Sequence, residues 1–396
     1  MNEVRRSQKS AANRIASILE DAEFVEAVAS TYRRPLVPNR RAGLWYVRPE
    51  CRKTEAYFKS TDGHINEWQF SLKRLNLHLI SLAMAHDGII IVDTTRRGKK
   101  MPDALSKTVP IWCAVLNRAI LNTDLAVFPP NCVSASEQAR IRSRIPDFVA
   151  QFGTIDHDLW PQLDKPLRPV FVTPDEMLPL EQVKTVFDDA YPVICVTASK
   201  KAQDGAFQMD GYTYVQGAAD DHELWAPAHF SPEMLWHKDN HSLREPGISN
   251  EELLRRISTG VVPSQDQSVV QLTSHISIGP AEGTLIDLTS GEFRLAPGKR
   301  GVKQMPSVLP KICQFFEERD PAQVAIVGTD DFPHCVALML DCRYYERGER
   351  CEPRLWVSKE EVTQRNAWLI ARSSVPPSRA AQNAVGSFLR SKYVNK

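Results

Sequence analysis

The chain has 396 residues, long for one domain, and 42% of them are apolar, ample for packed cores. Its 49 Lys and Arg face 48 Asp and Glu, a formal charge of +1, so any RNA contact has to use local basic patches rather than the field of the whole molecule. No apolar run approaches the ~20 residues a membrane helix needs, no N-terminal signal pattern is present, and the eight cysteines show neither Cys-x-x-Cys nor zinc-ligand spacing. A soluble cytoplasmic protein is expected, with the nucleus also open, no membrane partner, and an oligomeric state that the sequence does not specify.

In chain order, Ser7 to Thr31 reads as an amphipathic helix, with Ile15, Ile18 and Leu19 on one side and Phe24, Val25 and Val28 continuing it. Tyr32 to Cys51 is rich in Arg and Pro and reads as extended. It carries the first basic patch, with Arg33, Arg34, Arg40 and Arg41. Leu72, Leu75, Leu79 and Leu82 have the spacing of a buried helical stripe, with Lys73 and Arg74 between them. Ile89 to Val92 is an unbroken β-branched run, the pattern of a strand buried on both faces of a parallel sheet.

After Asp93 comes Thr94-Thr95-Arg96-Arg97-Gly98-Lys99-Lys100, then Lys107, with Asp103 the only acid in the stretch. A helix is expected from Thr108, which can cap it, through Leu121. Strand, cationic loop and helix N-terminus make an anion site: free N–H groups, the positive end of the dipole and several cations meet. A solvated basic loop is the competing reading. The loop is neither a Walker A motif, which needs Gly-x-x-x-x-Gly-Lys-Ser/Thr, nor a Gly-x-Gly-x-x-Gly dinucleotide fingerprint.

Ser134-x-x-Glu137 reads as a capping box opening a helix to Val149. Val170 to Val172 and Val193 to Val196 read as buried strands, and a strand at Tyr212 to Val215 leads into Gln216-Gly217-Ala218-Ala219-Asp220-Asp221-His222-Glu223. A polar stretch from Asn240 to Gln267, with a short helix over 251–257, separates this part from a second unit. That unit has strands at 276–278, 285–288 and 324–327 and helices at 309–318, 335–342 and 379–390. Strands alternating with helices give an α/β protein, with domains at 1–265 and 266–396.

The run Val92 to Arg118 closely resembles the initiator-tRNA phosphoribosyl transferases of fungi and plants. So do Ala56-Tyr57-Phe58-Lys59-Ser60-Thr61-Asp62-Gly63-His64, Lys165-Pro166-Leu167-Arg168-Pro169 and Tyr214 to Trp225, in the same order along the chain. The resemblance implies transfer of a 5-phosphoribosyl group from phosphoribosyl pyrophosphate to a ribose 2′-OH at position 64 of initiator tRNA, which marks that tRNA for initiation and against elongation. Mg²⁺ would bridge the leaving pyrophosphate.

On this reading Thr94, Thr95, Arg96, Arg97, Gly98, Lys99, Lys100 and Lys107 hold donor phosphates. Asp220 and Asp221 hold the metal, with His222 or Glu223 as further catalytic candidates, and Lys59, Asp62, His64 and Asp93 complete the site. Arg33, Arg34, Arg40, Arg41, Lys73 and Arg74 contact RNA. Each assignment competes with a plainer one: RNA backbone contact for the loop cations, a helix-start acid cluster for the two aspartates, a structural role for the histidine. Trp68, Trp112 and Trp225 read as core.

The same resemblance implies a C-terminal domain like a dual-specificity phosphatase. That chemistry needs Cys, five residues, then Arg in the loop after the strand. Here the loop is Gly328-Thr329-Asp330-Asp331-Phe332-Pro333, and Cys335 has Asp341 six residues on. A catalytically inert module is expected. The alternative for the whole chain is a non-catalytic tRNA-binding protein, which would have no use for Mg²⁺-dependent donor affinity.

Overall fold

A computed structural model describes residues 10–40, 42–123, 129–155, 157, 160–176, 188–227, 229–261, 269–329, 331–346, 349–372 and 377–391, without the side chains of 223, 371 and 372. The chain forms two compact units. The first comprises residues 1–70, 79–154 and 161–264, and the second 71–78, 155–160 and 265–396.

The first unit is built on a four-stranded parallel sheet of β1 (Leu36–Pro38), β2 (Ile89–Asp93), β3 (Leu167–Val172) and β4 (Tyr191–Thr197) in the order β1-β2-β4-β3. β2 and β4 are buried along their whole length, as the near-continuous apolar runs of a sheet covered on both faces demand. Side chains alternate across the pleat. Ile90, Val92, Ile194 and Val196 join Ile15, Ile18, Val25 and Val28 of helix α1 (Ala11–Tyr32) in one core. Helix α2 (His78–Ala85) precedes β2, and α3 (Val109–Leu121) and α4 (Ala135–Phe152) pack on each other, with α3 also lying on β3. Ser134 Oγ accepts the Glu137 N–H at 3.2 Å, so the expected cap forms. A small antiparallel hairpin, β5 (Ala206–Gln208) and β6 (Thr213–Val215), follows β4, and α5 (Pro232–Trp236) and α6 (Asn250–Thr259) close the unit.

Four expectations change. The leucine stripe is not one helix: α2 begins at His78, and Leu75 is buried in the turn segment before it. The Arg/Pro-rich stretch after α1 contains strand β1 and two short 3-10 turns, at Gly43–Tyr46 and Pro49–Cys51. The helix after the cationic loop starts a turn early, because Ala104–Thr108 is a π-helical turn running into α3. Thr108 is therefore helical and not a cap, and the Leu105 and Ser106 N–H groups bond the Pro102 carbonyl. Lastly, the strand before Asp220 pairs in the hairpin, not in the parallel sheet.

The second unit has β7 (Val270–Gln271), β8 (Ile276–Ile278), β9 (Thr284–Asp287) and β10 (Val324–Val327) in the order β7-β8-β10-β9. The last three run parallel and β7 runs antiparallel to β8. Helices α7 (Lys299–Arg319), α8 (Phe332–Tyr344), α9 (Lys359–Arg372) and α10 (Arg379–Arg390) cover it, with a two-residue ladder, β11 (Tyr345–Glu346) and β12 (Glu349–Arg350), after α8. α8 is buried throughout and lies in the middle of the core. No helix among the described residues is long and apolar enough to cross a membrane.

Candidate active site

Three adjacent parallel strands end together, and open α/β sheets place ligands beyond the carboxyl ends of their strands. Asn39 follows β1, Asp93 ends β2 and Ser199 follows β4. Asn39 Nδ2 donates to Asp93 Oδ2 at 2.8 Å and to the Phe58 carbonyl at 2.9 Å, and Asp93 Oδ1 accepts the Thr94 N–H at 2.8 Å. Ser199 Oγ donates to the Thr95 carbonyl at 3.0 Å. Asp93, Thr94 and Thr95 are all buried. Asp93 thus holds the loop rather than facing it as a reactive acid.

The loop cations are less free than their local sequence suggests. Lys99 and Lys107 both reach Asp103, at 3.3 and 3.1 Å, and Lys107 also pairs with Glu137 at 3.0 Å with its side chain only 11% exposed. Lys100 pairs with Glu176. Arg96 pairs with Asp221 and lies 3.9 Å from Asp220. Asp103 remains the one acid within the loop, but four acids from elsewhere in the chain, Glu137, Glu176, Asp220 and Asp221, meet its cations. Arg97 differs: it is exposed, it forms no ion pair among the described residues, and its backbone sits at φ 58. A non-glycine residue in the left-handed region is uncommon and clusters at functional sites.

The second wall is the segment after β6. Gly217 (φ 65) lies so close to the loop that a Cβ there would sit 2.6 Å from the Thr95 carbonyl oxygen. Gln216, buried beside it, acts as a clamp. Its Oε1 accepts the Gly98 and Ala202 N–H groups at 2.8 and 3.1 Å, and its Nε2 donates to the Lys99 carbonyl at 2.8 Å. From α1, Arg14 donates to the carbonyls of Ala218 (2.7 Å) and Asp220 (3.2 Å). The buried Tyr46 hydroxyl accepts the Ala219 N–H at 3.3 Å. Asp221, at φ 50, opens the 3-10 turn His222–Leu224, and the His222 ring lies 5.8 Å from that of Trp45. The Glu223 side chain falls outside the described residues.

The structure therefore brings Arg96, Arg97, Gly98, Asp220, Asp221 and His222 to one place. Lys59, Asp62 and His64 form the neighbouring wall. The Lys59 carbonyl accepts the Thr108 hydroxyl at 3.2 Å, Asp62 is buried, and His64 Nε2 lies 3.7 Å from Asp103 Oδ2. Arg34 and Arg40 are spent on Asp87 and Glu55, Arg33 ends α1 at φ 50, and Arg41 lies outside the described residues. Lys73 and Arg74 belong to the second unit. Trp68, Trp112 and Trp225 are buried, as read. Gln216, Arg14, Tyr46, Ser199 and Asn39 escaped the sequence reading, since none belongs to a motif and each acts on a segment distant in the chain.

Gln216→Ala would leave the Gly98 and Ala202 N–H groups without their acceptor, at roughly 1–3 kcal/mol for each buried group left unpaired. A lower melting temperature is expected. An unchanged melting temperature would show that the clamp is dispensable.

Behind this wall, Tyr214 Oη donates to Asp21 Oδ1 at 2.8 Å, while Asp21 Oδ2 is buried without a hydrogen-bond partner. Burial holds this carboxyl well above the usual carboxylate range. The folded chain keeps a proton that the unfolded chain releases near pH ~4, so this contribution is complete below that pH and is lost as pH rises through the folded value. Asp21→Asn keeps the acceptor and removes the titration. It should match the parent near pH ~4 and melt at an equal or higher temperature near pH ~8, well above an ordinary aspartate's range. A lower melting temperature at the higher pH would show that the buried group is charged and paired with Lys200.

Residues 4–259 match the family described as the Rit1 N-terminal domain. The chain belongs to the Rit1 family. In this Rit1-family chain residues 290–389 also match the Rit1 DUSP-like domain. The tRNA A64-2′-O-ribosylphosphate transferase of Saccharomyces cerevisiae is 34% identical to it, over 98% of this chain and 93% of the relative. An uncharacterised protein of Schizosaccharomyces pombe is 37% identical, over 84% and 82%. No solved structure matches. The first match lies on the first unit apart from residues 71–78 and 155–160, and the second match lies within the second unit.

Proposed function

We propose that the protein transfers the 5-phosphoribosyl group of phosphoribosyl pyrophosphate to the 2′-OH of residue 64 of initiator tRNA, marking that tRNA for initiation and against elongation. The observation that carries this is the identity with the S. cerevisiae transferase along nearly its whole length. The site geometry supports it. An exposed cation, Arg97, with no ion pair among the described residues, stands on one wall and two carboxylates on the other, with the loop between them fixed from three strands.

In the reaction the tRNA 2′-oxygen bonds to C1 of the donor, the C1–O bond to pyrophosphate breaks, and the pyrophosphate leaves with the electron pair. Asp221 takes the hydroxyl proton, with His222 beside it. Arg97 binds the donor phosphates, and Arg96 offsets the charge of the two aspartates until the donor arrives. The residues fit a Mg²⁺ that arrives with its donor. Such an ion takes one or two carboxylates and completes its shell from substrate phosphates, and among the described residues no group of three or more His, Cys, Asp and Glu forms a cage of its own. When bound through Asp220, the ion would spread the charge of the leaving group. A paired T-stem presents its 2′-OH groups in the shallow minor groove, so docking has to read shape and backbone.

The test is transfer of label from ribose-labelled donor to initiator tRNA, with an elongator methionine tRNA as control and nuclease mapping of the product. Label confined to residue 64 of the initiator is expected. Tight tRNA binding with no donor binding would leave a tRNA-binding protein without catalysis.

The second unit is proposed to be inert as a phosphatase. Between β10 and α8 the described loop offers no Cys or Arg, and the Asp331 carboxylate accepts the Ser378 N–H. Cys335 is fully buried in α8, and burial pushes its thiol up, away from the thiolate needed for attack. An aryl phosphate should be hydrolysed no faster than background. Turnover that survives Cys335→Ser and chelation of metals would overturn this.

A further inference from the structure

In the second unit, the ion pairs among the described residues are Arg343–Glu317, Arg350–Asp320, Arg354–Glu361 and Arg365–Asp341. A separate group of cations gathers around the segment 71–78, which belongs to this unit. Lys73 Nζ donates to Asn383 Oδ1 of α10 at 3.2 Å. Arg379, Asn383, Gly386 and Arg390 fall at i, i+4, i+7 and i+11 on one face of that helix. Gly386 leaves room for Arg390 to fold back, since a Cβ there would meet its guanidinium at 3.0 Å.

Lys359 is the first residue of α9, as Arg379 is of α10. Cations at both places oppose the helix dipole, which favours acids there. Burial lowers the pKa of the Lys73 ammonium, and the positive charges of Arg379, Lys359, Arg74 and Arg390 lower it further. The nearby acids do not offset this: Glu361 is tied to Arg354 through both oxygens, and Glu360 is exposed at the start of α9. Like charges held this close cost stability unless a polyanion covers them.

An aromatic ring flanks the cluster. The Val357 N–H donates to the Leu389 carbonyl at 3.1 Å, which sets Trp356 beside the end of α10 that carries Arg390. Trp356 is 54% exposed, and Leu355 before it 62%. Large apolar side chains in the open next to clustered cations are the two halves of a single-strand RNA platform, one for phosphates and one for a base face.

We propose that Lys73, Arg74, Lys359, Arg379 and Arg390, with the exposed Trp356, form an RNA-docking surface on the second unit that takes tRNA backbone phosphates and stacks one unpaired base. This rests on the reading of the protein as an enzyme acting on tRNA. It gives the phosphatase-like unit a role that needs no chemistry.

The test is binding of the full chain to unmodified initiator tRNA transcript, followed by fluorescence anisotropy across a salt series. Arg379→Glu with Arg390→Glu should weaken binding at least tenfold near physiological salt. The slope of log affinity against log salt should become shallower by roughly 1.5, as expected for two lost phosphate contacts. Trp356→Ala should weaken binding about tenfold and leave the slope unchanged, because stacking releases no counterions. Donor binding should stay at parent values in both variants. Arg379→Gln serves as the milder variant should the double reversal lower the melting temperature; it should cost part of the affinity and roughly half of the slope change. Folded variants with parent affinity and slope would overturn the proposal, including the case in which the patch serves an acidic protein instead. A parent protein that binds tRNA in this pattern but neither binds donor nor transfers label would sink the transferase reading and leave the surface standing.

Discussion

Arg97→Ala is expected to raise the KM for phosphoribosyl pyrophosphate by about 10- to 100-fold, the effect of losing one charge-assisted contact of roughly 1.5–3 kcal/mol. Affinity for tRNA and the melting temperature should stay near parent values. The selectivity follows from where the loop cations go. Lys99, Lys100 and Lys107 are held by Asp103, Glu176 and Glu137, and Arg96 by the two aspartates. Arg97 forms no ion pair among the described residues and stands exposed on a left-handed backbone fixed by its neighbours. Removing it breaks nothing in the fold. The contrasting variant is Lys107→Ala, which leaves Asp103 and the largely buried Glu137 short of a partner and should lower the melting temperature first. An Arg97→Ala protein with unchanged donor KM and weakened tRNA binding would move the loop to the RNA side.

What could be read from the residues was whatever is local. Ile89 to Val92 announces a doubly buried strand, and Ser134 announces its own helix. The helix over 379–390 needs only its apolar period and the capping Ser378. Short or interrupted elements were not legible in this way. Three residues of β1 carry no period, and Pro306 and Pro310 mask the first half of α7, which tolerates both inside one helix. α9 was missed because its sequence opens on Lys-Glu-Glu with no clean aliphatic stripe.

The site divides along the same line. Its cations and acids are conspicuous in sequence, but their pairing is tertiary. Glu176 and Glu137 meet the loop across dozens of residues, and so the local count overstated the positive field. Gln216 was illegible for another reason: a glutamine is an ordinary surface residue until both halves of its amide are seen bonded to two loops.

Asp221→Asn should reduce transfer to initiator tRNA by a factor of about 10²–10⁴, the range of a positioned general base, with little change in tRNA affinity or melting temperature. The small structural effect follows from exposure. The Asp221 and Arg96 side chains are 44% and 42% exposed, and an ion pair in such a setting contributes about 0–1 kcal/mol. The large catalytic effect follows from placement. Asp221 opens its turn on a left-handed backbone, and Arg14 ties the main chain just before it to α1. Arg96 sits between the two carboxylates and offsets their mutual repulsion. On the proposed reading, donor and Mg²⁺ would bring their own charges to that place and displace Arg96 from the pair. Asp220→Asn should then shift the Mg²⁺ dependence upward while retaining part of the rate, whereas Asp221→Asn should not be rescued by any Mg²⁺ concentration. Near-normal turnover of Asp221→Asn at limiting Mg²⁺ would show that the aspartates serve only to anchor Arg96. The base would then have to come from the neighbouring wall, where Asp62 becomes the candidate because Asp93 is committed to Asn39 and the Thr94 N–H.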